Sequence, residues 1–427
     1  MPKMTGLLTL GFSLAAGALA AADYSIRGTT DKDIAMYKPG EPMVFTLRVL
    51  DGASAVAGKT LKWTRTGDDG KTATGEGVAG ADGLQIKTSL DKPGFVRIQA
   101  DAFGEDGKKL QGFAGGWGPN KNGAIFFDGG ACVEPEKLQP VEEPADFDAF
   151  WKSAKAKLAA VPVQAELKPL PCGNPKVKLF AATVSCAGPK PVTGYLTVPA
   201  DAKPQSLPAI VSFHGYGIGK HNPPGGFNAS AIVFDVNAHG MELGREDGYY
   251  EQLKKDLSGY CFKKDENADR EKTYYYGLAL RVMRALQYVK TLPEWNGREL
   301  HSDGGSQGGL QGLWGAGLDG DVTASDIWSP WSCDFGGITL GRLRGWRPDY
   351  TKALDYFDPV FHAKRIRGKV HLIANLGDYT CAPSGVWIVY NNIPHARKSM
   401  LVKQGATHGY EMKGAATFTV SPAGVTR

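Results

Sequence analysis

The sequence predicts an α/β protein whose mostly parallel sheet is covered by helices and preceded by a small all-β, immunoglobulin-like sandwich. Three observations carry this. Residues 24 to about 112 alternate apolar and polar residues in short runs broken by turn dipeptides, the pattern of half-buried strands. From Pro144 onward, strand-like apolar runs alternate with stretches whose apolar residues recur every three or four positions, as helices require. Strands interleaved with helices give a parallel sheet buried on both faces.

The chain has 427 residues, enough for about two to three domains. Its first residues form a unit of their own. One Lys precedes an apolar run from Leu7 to about Ala16, and Ala18-Leu19-Ala20 matches a small-residue cleavage site. Residues 1–20 therefore read as a signal peptide, and the mature chain is expected to be secreted or periplasmic. The run is short for a membrane span, and no later stretch is apolar enough for one.

Residues 23–112 read as the sandwich. Phe45, Leu47 and Val49 point one way and Thr46 and Arg48 the other, while Val96, Ile98, Ala100 and Ala102 alternate in a second strand. Residues 113–144 are rich in Gly, Pro, Asn and Lys and read as a connector. Trp117, Phe126 and Phe127 within it are expected to pack along the second domain, since leaving them in water is unfavourable. Residues 145–427 read as the α/β domain. Phe147, Phe150, Trp151, Ala154 and Leu158 form the stripe of its opening helix. Eight strand-like runs follow, with a helical stretch between Tyr274 and Leu292.

Formal net charge is +5, with Lys and Arg scattered, so a nucleic-acid partner is not expected. Six cysteines (Cys132, Cys172, Cys186, Cys261, Cys333 and Cys381) lack C-x-x-C spacing, and neither a zinc nor a redox site is indicated. Export permits disulfides. Cys172 and Cys186 flank a short apolar segment that a bridge would staple; free buried thiols are the alternative for all six.

Gly304-Gly305-Ser306-Gln307-Gly308 matches G-x-S-x-G, preceded by a short strand and followed by a helix-like run. That is the setting of a nucleophile elbow, in which a strained turn lifts the serine Oγ clear and small neighbours avoid collision. With eight candidate strands, this context fits an α/β-hydrolase. The serine needs a base and an orienting acid, in the chain order Ser, Asp or Glu, His. Asp378 ends the run Lys369–Asp378, and His408 follows the last main strand. Asp334, after another strand, is the rival acid. Among the other histidines, His214, His239, His301, His362 and His371 precede the acid, and His395 precedes the final strand. The oxyanion hole is expected from the amides of Gln307 and of Tyr216, the latter in the loop His214-Gly215-Tyr216-Gly217. Tyr216, Trp328 and Trp331 lie near the expected rim and would stack on a sugar; core packing is the alternative for both tryptophans. Asp303 lies on the strand before the serine and reads as structural.

These residues resemble the acetylxylan esterase / cephalosporin C deacetylase family. The opening helix "PADFDAFWKSAKAKL", "HGYG", "GGSQGG", "SPWSCDFGG" and "GDYTCAPS" are each similar to a segment of that family, and the likeness covers roughly residues 130 to 425. It implies Ser306, Asp378 and His408 as the triad and Tyr216 and Gln307 as the hole, with no metal or organic cofactor. It also implies that Cys333 and Cys381 approach the site. The chain departs from the family at Asn237-Ala238-His239, where Arg-Gly-Gln is usual, and at His408-Gly409, where His-Glu is usual. The expected activity is removal of acetyl groups from an acetylated carbohydrate. A serine peptidase on the same fold and an inactive glycan-binding surface protein are the alternatives. The sandwich reads as a spacer rather than a glycan binder, since no row of exposed aromatics is evident.

Overall fold

The computed structural model describes residues 23–112, 123–412 and 414–427. The expected signal peptide, its cleavage site and Trp117 lie outside the described residues. Nine strands come first: β1 (Tyr24–Thr30), β2 (Met36–Tyr37), β3 (Met43–Asp51), β4 (Ser54–Ala55), β5 (Lys59–Gly67), β6 (Thr72–Ala79), β7 (Leu84–Thr88), β8 (Gly94–Phe103) and β9 (Phe126–Val133). They form two sheets, one ordered β1-β3-β4 with β7 also on β3, the other β2-β9-β8-β5-β6. The alternation read from sequence is the packing: Phe45, Leu47, Val49, Ile98, Ala100 and Ala102 are all buried.

β9 falls in the stretch expected to be a connector. It pairs antiparallel with β8 and parallel with β2, and every one of its residues is buried. A strand covered on both faces shows no polar alternation, and its Gly129-Gly130-Ala131 centre has poor strand propensity. The glycines have a steric reason. A Cβ on Gly130 would lie 2.7 Å from the Leu376 carbonyl oxygen, and one on Gly129 would lie 2.9 Å from that of Gln404. Gly130 N–H donates to the Gln404 carbonyl at 3.1 Å. The sandwich therefore presses its backbone directly onto the second half of the chain.

That half contains α1 (Phe147–Ala159), β10 (Ala165–Leu170), β11 (Val177–Val184), β12 (Val192–Pro199), β13 (Leu207–Phe213), β14 (Ile232–Asn237), α2 (Asp247–Asp256), α3 (Tyr274–Val289), β15 (Trp295–Gly305), α4 (Gln307–Leu318), β16 (Ala324–Trp328), α5 (Pro359–His362), β17 (Lys369–Asn375), α6 (Pro383–Asn392), β18 (Lys398–Lys403), β19 (Thr417–Ser421) and β20 (Gly424–Thr426). Its strands make one eleven-stranded sheet, ordered β10-β11-β12-β14-β13-β15-β16-β17-β18-β19-β20. The run from β14 to β18 is parallel, and both flanks are antiparallel. This is an α/β-hydrolase-type sheet. Three strands exceed the eight expected. β10 is almost wholly exposed and carries charge and a proline, as edge strands do, so it offers no apolar run to read. β19 and β20 are five and three residues long. The stripe of α1 is buried as its spacing predicts. Among the described residues, no helix is long and apolar enough to cross a membrane.

The parallel strands end on one edge, and the loops leaving that edge hold the candidate site, where open α/β sheets bind ligands. The loops after β17 and β18 are those against which β9 packs. Further bonds cross the same seam. Asp68 accepts from the amides of Phe95 and Leu343, and Gln404 Nε2 donates to Thr30 Oγ1 at 2.8 Å. Gly377→Ala, whose Cβ would collide with the Asp128 carbonyl oxygen across the seam, destabilises the protein by about 1–3 kcal/mol through overpacking. Gly226→Ala, whose Cβ meets nothing within 4 Å, is the control. Urea unfolding should show a lower midpoint for the first variant only; equal midpoints would show that β9 does not bear on these loops.

Candidate active site

Ser306 stands between β15 and α4 with φ 55° and ψ −122°. A non-glycine residue there carries about 1–3 kcal/mol of strain. Its surroundings hold it in place. Ser306 N–H donates to the Trp328 carbonyl at 2.9 Å, and its own carbonyl accepts from Leu310 and Trp331 at 3.0 and 2.9 Å. A Cβ on Gly304 would collide with the Gly308 backbone, and one on Gly308 would collide with the Phe213 carbonyl. Only glycine at both positions lets the turn close against β13. Gly309 likewise admits Pro330, whose Cα would be 3.0 Å from an added Cβ.

His408, in the loop after β18, places Nε2 2.9 Å from Ser306 Oγ and Nδ1 2.9 Å from Asp378 Oδ2. With a neutral ring, Nδ1–H donates to the carboxylate and Nε2 accepts the serine hydroxyl. The other carboxylate oxygen accepts from the amides of Thr380 and Cys381 at 2.8 and 2.7 Å. Asp378 is thus held at both oxygens in a buried position. Asp334 is engaged elsewhere, paired with Arg342 at 2.7 Å and pushed upward in pKa chiefly by burial. Asp303 accepts from the Asp326 amide, a bond within the sheet. His301 and His371 lie on β15 and β17. His362 packs against Phe147 and Trp151.

All six cysteines are free, Cys172 and Cys186 included. Cys381 is buried beside Ser306; burial pushes its thiol well up, with the serine hydroxyl acting in the opposite direction. Ligand-capable atoms of Asp378, Cys381 and His408 lie within 4.8 Å of one another, but both His408 nitrogens are engaged by Asp378 and Ser306, and the second Asp378 oxygen by two amides.

The loop after β13 runs beside the serine: a Cβ on Gly215 would be 3.8 Å from Ser306 Cβ. Gln307 opens α4, where the first amides have no intrahelical acceptor. Two residues that the sequence did not single out for the site tie these parts together. The Tyr260 hydroxyl accepts from Gly217 N–H at 2.9 Å and donates to Gln307 Oε1 at 2.7 Å. Its ring stacks on Tyr216 at 4.2 Å and 8°. His239 bonds the Gly217 carbonyl through Nε2 at 3.0 Å and the Tyr274 hydroxyl through Nδ1 at 2.8 Å. Its only signal in the sequence was the departure from Arg-Gly-Gln.

The two tryptophans differ. Trp328 is 37% exposed, and its ring stacks on His408 at 5.3 Å. Trp331 is 0% exposed, closed in by Tyr216, Phe262, Tyr275 and Trp346. The expectation that Trp331 stacks on a ligand is therefore corrected, because other side chains cover its ring completely.

Burial, and after it His214, pushes the His239 pKa down to about 3. An unfolded chain has this group near 6.5. Between pH 6.5 and about 3 the ring takes up a proton only on unfolding, so it lowers stability as pH falls through that window. His239→Gln should flatten the fall by about one proton, measured by urea unfolding from pH 7 to 4. A slope equal to the wild type's would show that His239 is not held neutral.

The sequence model of the family described as Acetyl xylan esterase (AXE1) matches residues 137–343 and 344–418, well over half of the chain. Acetyl esterase Axe7A of Xylanibacter ruminicola is 27% identical over 291 residues, 62% of this chain and 64% of that protein. The aligned region thus spans less than two thirds of that relative. The acetyl xylan esterase from Paenibacillus sp. R4 has TM-score 0.53 and 24% identity, covering 64% of this chain and 93% of its own. Acetyl xylan esterase 1 from Thermoanaerobacterium sp. JW/SL YS485 has TM-score 0.53 and 21% identity, covering 66% and 94%. At these identities the two structures establish likeness of fold. From the family match, with the fold beneath it, the chain belongs to the acetyl xylan esterase family.

Proposed function

We propose that the chain is a secreted serine esterase that removes O-acetyl groups from a carbohydrate. The observation that carries this is the unbroken hydrogen-bond chain from Asp378 through His408 to Ser306, set on a strained elbow in a member of this family. Secretion rests on the N-terminal sequence alone.

In this reading Ser306 Oγ attacks the acetyl carbonyl while His408 Nε2 takes its proton. Asp378 stabilises the imidazolium and fixes the ring. The amides of Tyr216 and Gln307 meet the oxyanion, and Tyr260 and His239 hold those two segments in position. Preorganised donors of this kind are worth about 10²–10³ in rate each. His408 then gives its proton to the departing sugar oxygen, leaving acetyl on Ser306 Oγ. Water, deprotonated by His408, attacks that ester and releases acetate. The steps use side chains and backbone alone, so no cofactor is assigned.

Acetate release from acetylated xylan, acetylated hexosamines, acetylated sialic acid and cephalosporin C, beside a set of peptide substrates, tests the proposal. At least one acetylated sugar should be turned over faster than every peptide. Ser306→Ala should lower that rate by about 10⁴-fold or more. Peptide cleavage exceeding acetate release would reverse the assignment.

A further inference from the structure

Eight large hydrophobic residues are exposed among the described residues, and five of them are aliphatic. The three aromatics are Trp328 at 37%, Trp346 at 41% and Tyr379 at 37%. Trp328 stacks on His408, Trp346 stands against Tyr216, and Tyr379 follows Asp378 in the chain. Isolated apolar side chains on a surface need no explanation, but exposed rings that each adjoin the residues of one site point to a binding surface.

Each ring is fixed from behind. Trp328 ends β16 opposite Gly305; its carbonyl receives the Ser306 amide, and its ring lies along His408. Trp346 donates its backbone N–H to the Thr380 carbonyl at 2.8 Å, which pins it to the loop carrying Asp378. Its ring stands edge-on to Tyr216 at 4.6 Å and stacks on buried Trp331 at 5.4 Å. Trp331 is thus the buttress of an exposed tryptophan. Tyr379, next to Asp378, lies against the Arg97 guanidinium at 5.5 Å, and Arg97 is itself held by buried Asp128. The rings are preorganised, so little side-chain entropy is lost when a ligand covers them.

We infer that Trp328 and Trp346 form a two-ring platform for an oligosaccharide, the sugar bearing the ester lying on Trp328 and a neighbouring sugar on Trp346. This deepens the carbohydrate-esterase proposal and rests on it. The chemistry sets the placement. His408 must return its proton to the departing sugar oxygen, so that sugar lies on the His408 side, where Trp328 is the exposed ring. A pyranose offers an apolar face of C–H groups and a rim of hydroxyls. Flat rings at an open surface take the first and leave the second in water. Beside Trp328 is a hollow of about 190 Å³, lined also by Asn375, Thr407 and Tyr410. Asn375 is fixed behind this hollow, its Nδ2 donating to Ser329 Oγ at 3.2 Å and to the Thr407 carbonyl at 2.8 Å.

The test compares wild type, Trp328→Ala and Trp346→Ala on p-nitrophenyl acetate and on acetylated xylose and glucose oligomers of about one to five units. In the wild type, KM should fall with oligomer length. Trp328→Ala should lower kcat/KM on every oligomer, relative to p-nitrophenyl acetate, by about tenfold. Trp346→Ala should lower kcat/KM on the longer oligomers by more than on the monomer and so abolish the gain with length. Losses that run in parallel on both kinds of substrate, or no loss on the oligomers, would overturn the platform. Wild-type turnover of p-nitrophenyl acetate with no acetate from any oligomer would instead overturn the carbohydrate reading beneath it.

Discussion

The strained backbone of Ser306 is the constraint around which the catalytic half is arranged. A residue at φ 55° and ψ −122° persists only where its surroundings leave no easier conformation. Here the Trp328 carbonyl takes its amide, two later amides take its carbonyl, and glycines before and after it let β13 and α4 close in. The same bonds locate the rest of the site. Fixing Ser306 to Trp328 also sets the ring that covers His408, and fixing it to Trp331 sets the ring that supports Trp346. A relaxed serine would release Ser306 Oγ and the surface about it together.

The first domain takes part in this arrangement. β9 lies on the loops that carry Asp378 and His408, with backbone against backbone at Gly129, Gly130 and Gly377. Asp128, pushed up to about 7 by burial and drawn back by Arg97, sits beneath the acid loop, and Arg97 reaches Tyr379. β9, which thus forms one wall of the site's support, lies in the stretch read from sequence as a connector expected to pack along the second domain. The division at residue 112 separates β8 from β9, its neighbour in the same sheet, so we propose that the sandwich extends to Val133.

Legibility in the sequence followed periodicity and local chemistry. Phe45, Leu47 and Val49 alternate because one face of β3 meets water, and the stripe of α1 repeats because one face of that helix does. Ser306 was legible because its turn demands small neighbours within five residues. Asp378 and His408 were legible because the order of strands dictates which loops reach the serine, and the structure brings both to it. β9 was not, since burial on both faces erases alternation. β10 was not, since an exposed edge strand needs no apolar residues. Tyr260 and His239 act through contacts that exist only after folding. Which of Trp331 and Trp346 faces solvent depends on how the loop from Gly341 to Pro348 lies across the loop carrying Asp378, and no local pattern encodes that.

The central claim is that Ser306 is the nucleophile, activated by His408 and Asp378. A fluorophosphonate reacts with a serine only where such activation exists, and mass spectrometry of the digested protein locates the adduct. One adduct per chain, on the peptide containing Ser306 and lost in His408→Ala, is the result this account predicts. An active enzyme that carries the adduct on another residue, or none at all, would contradict it.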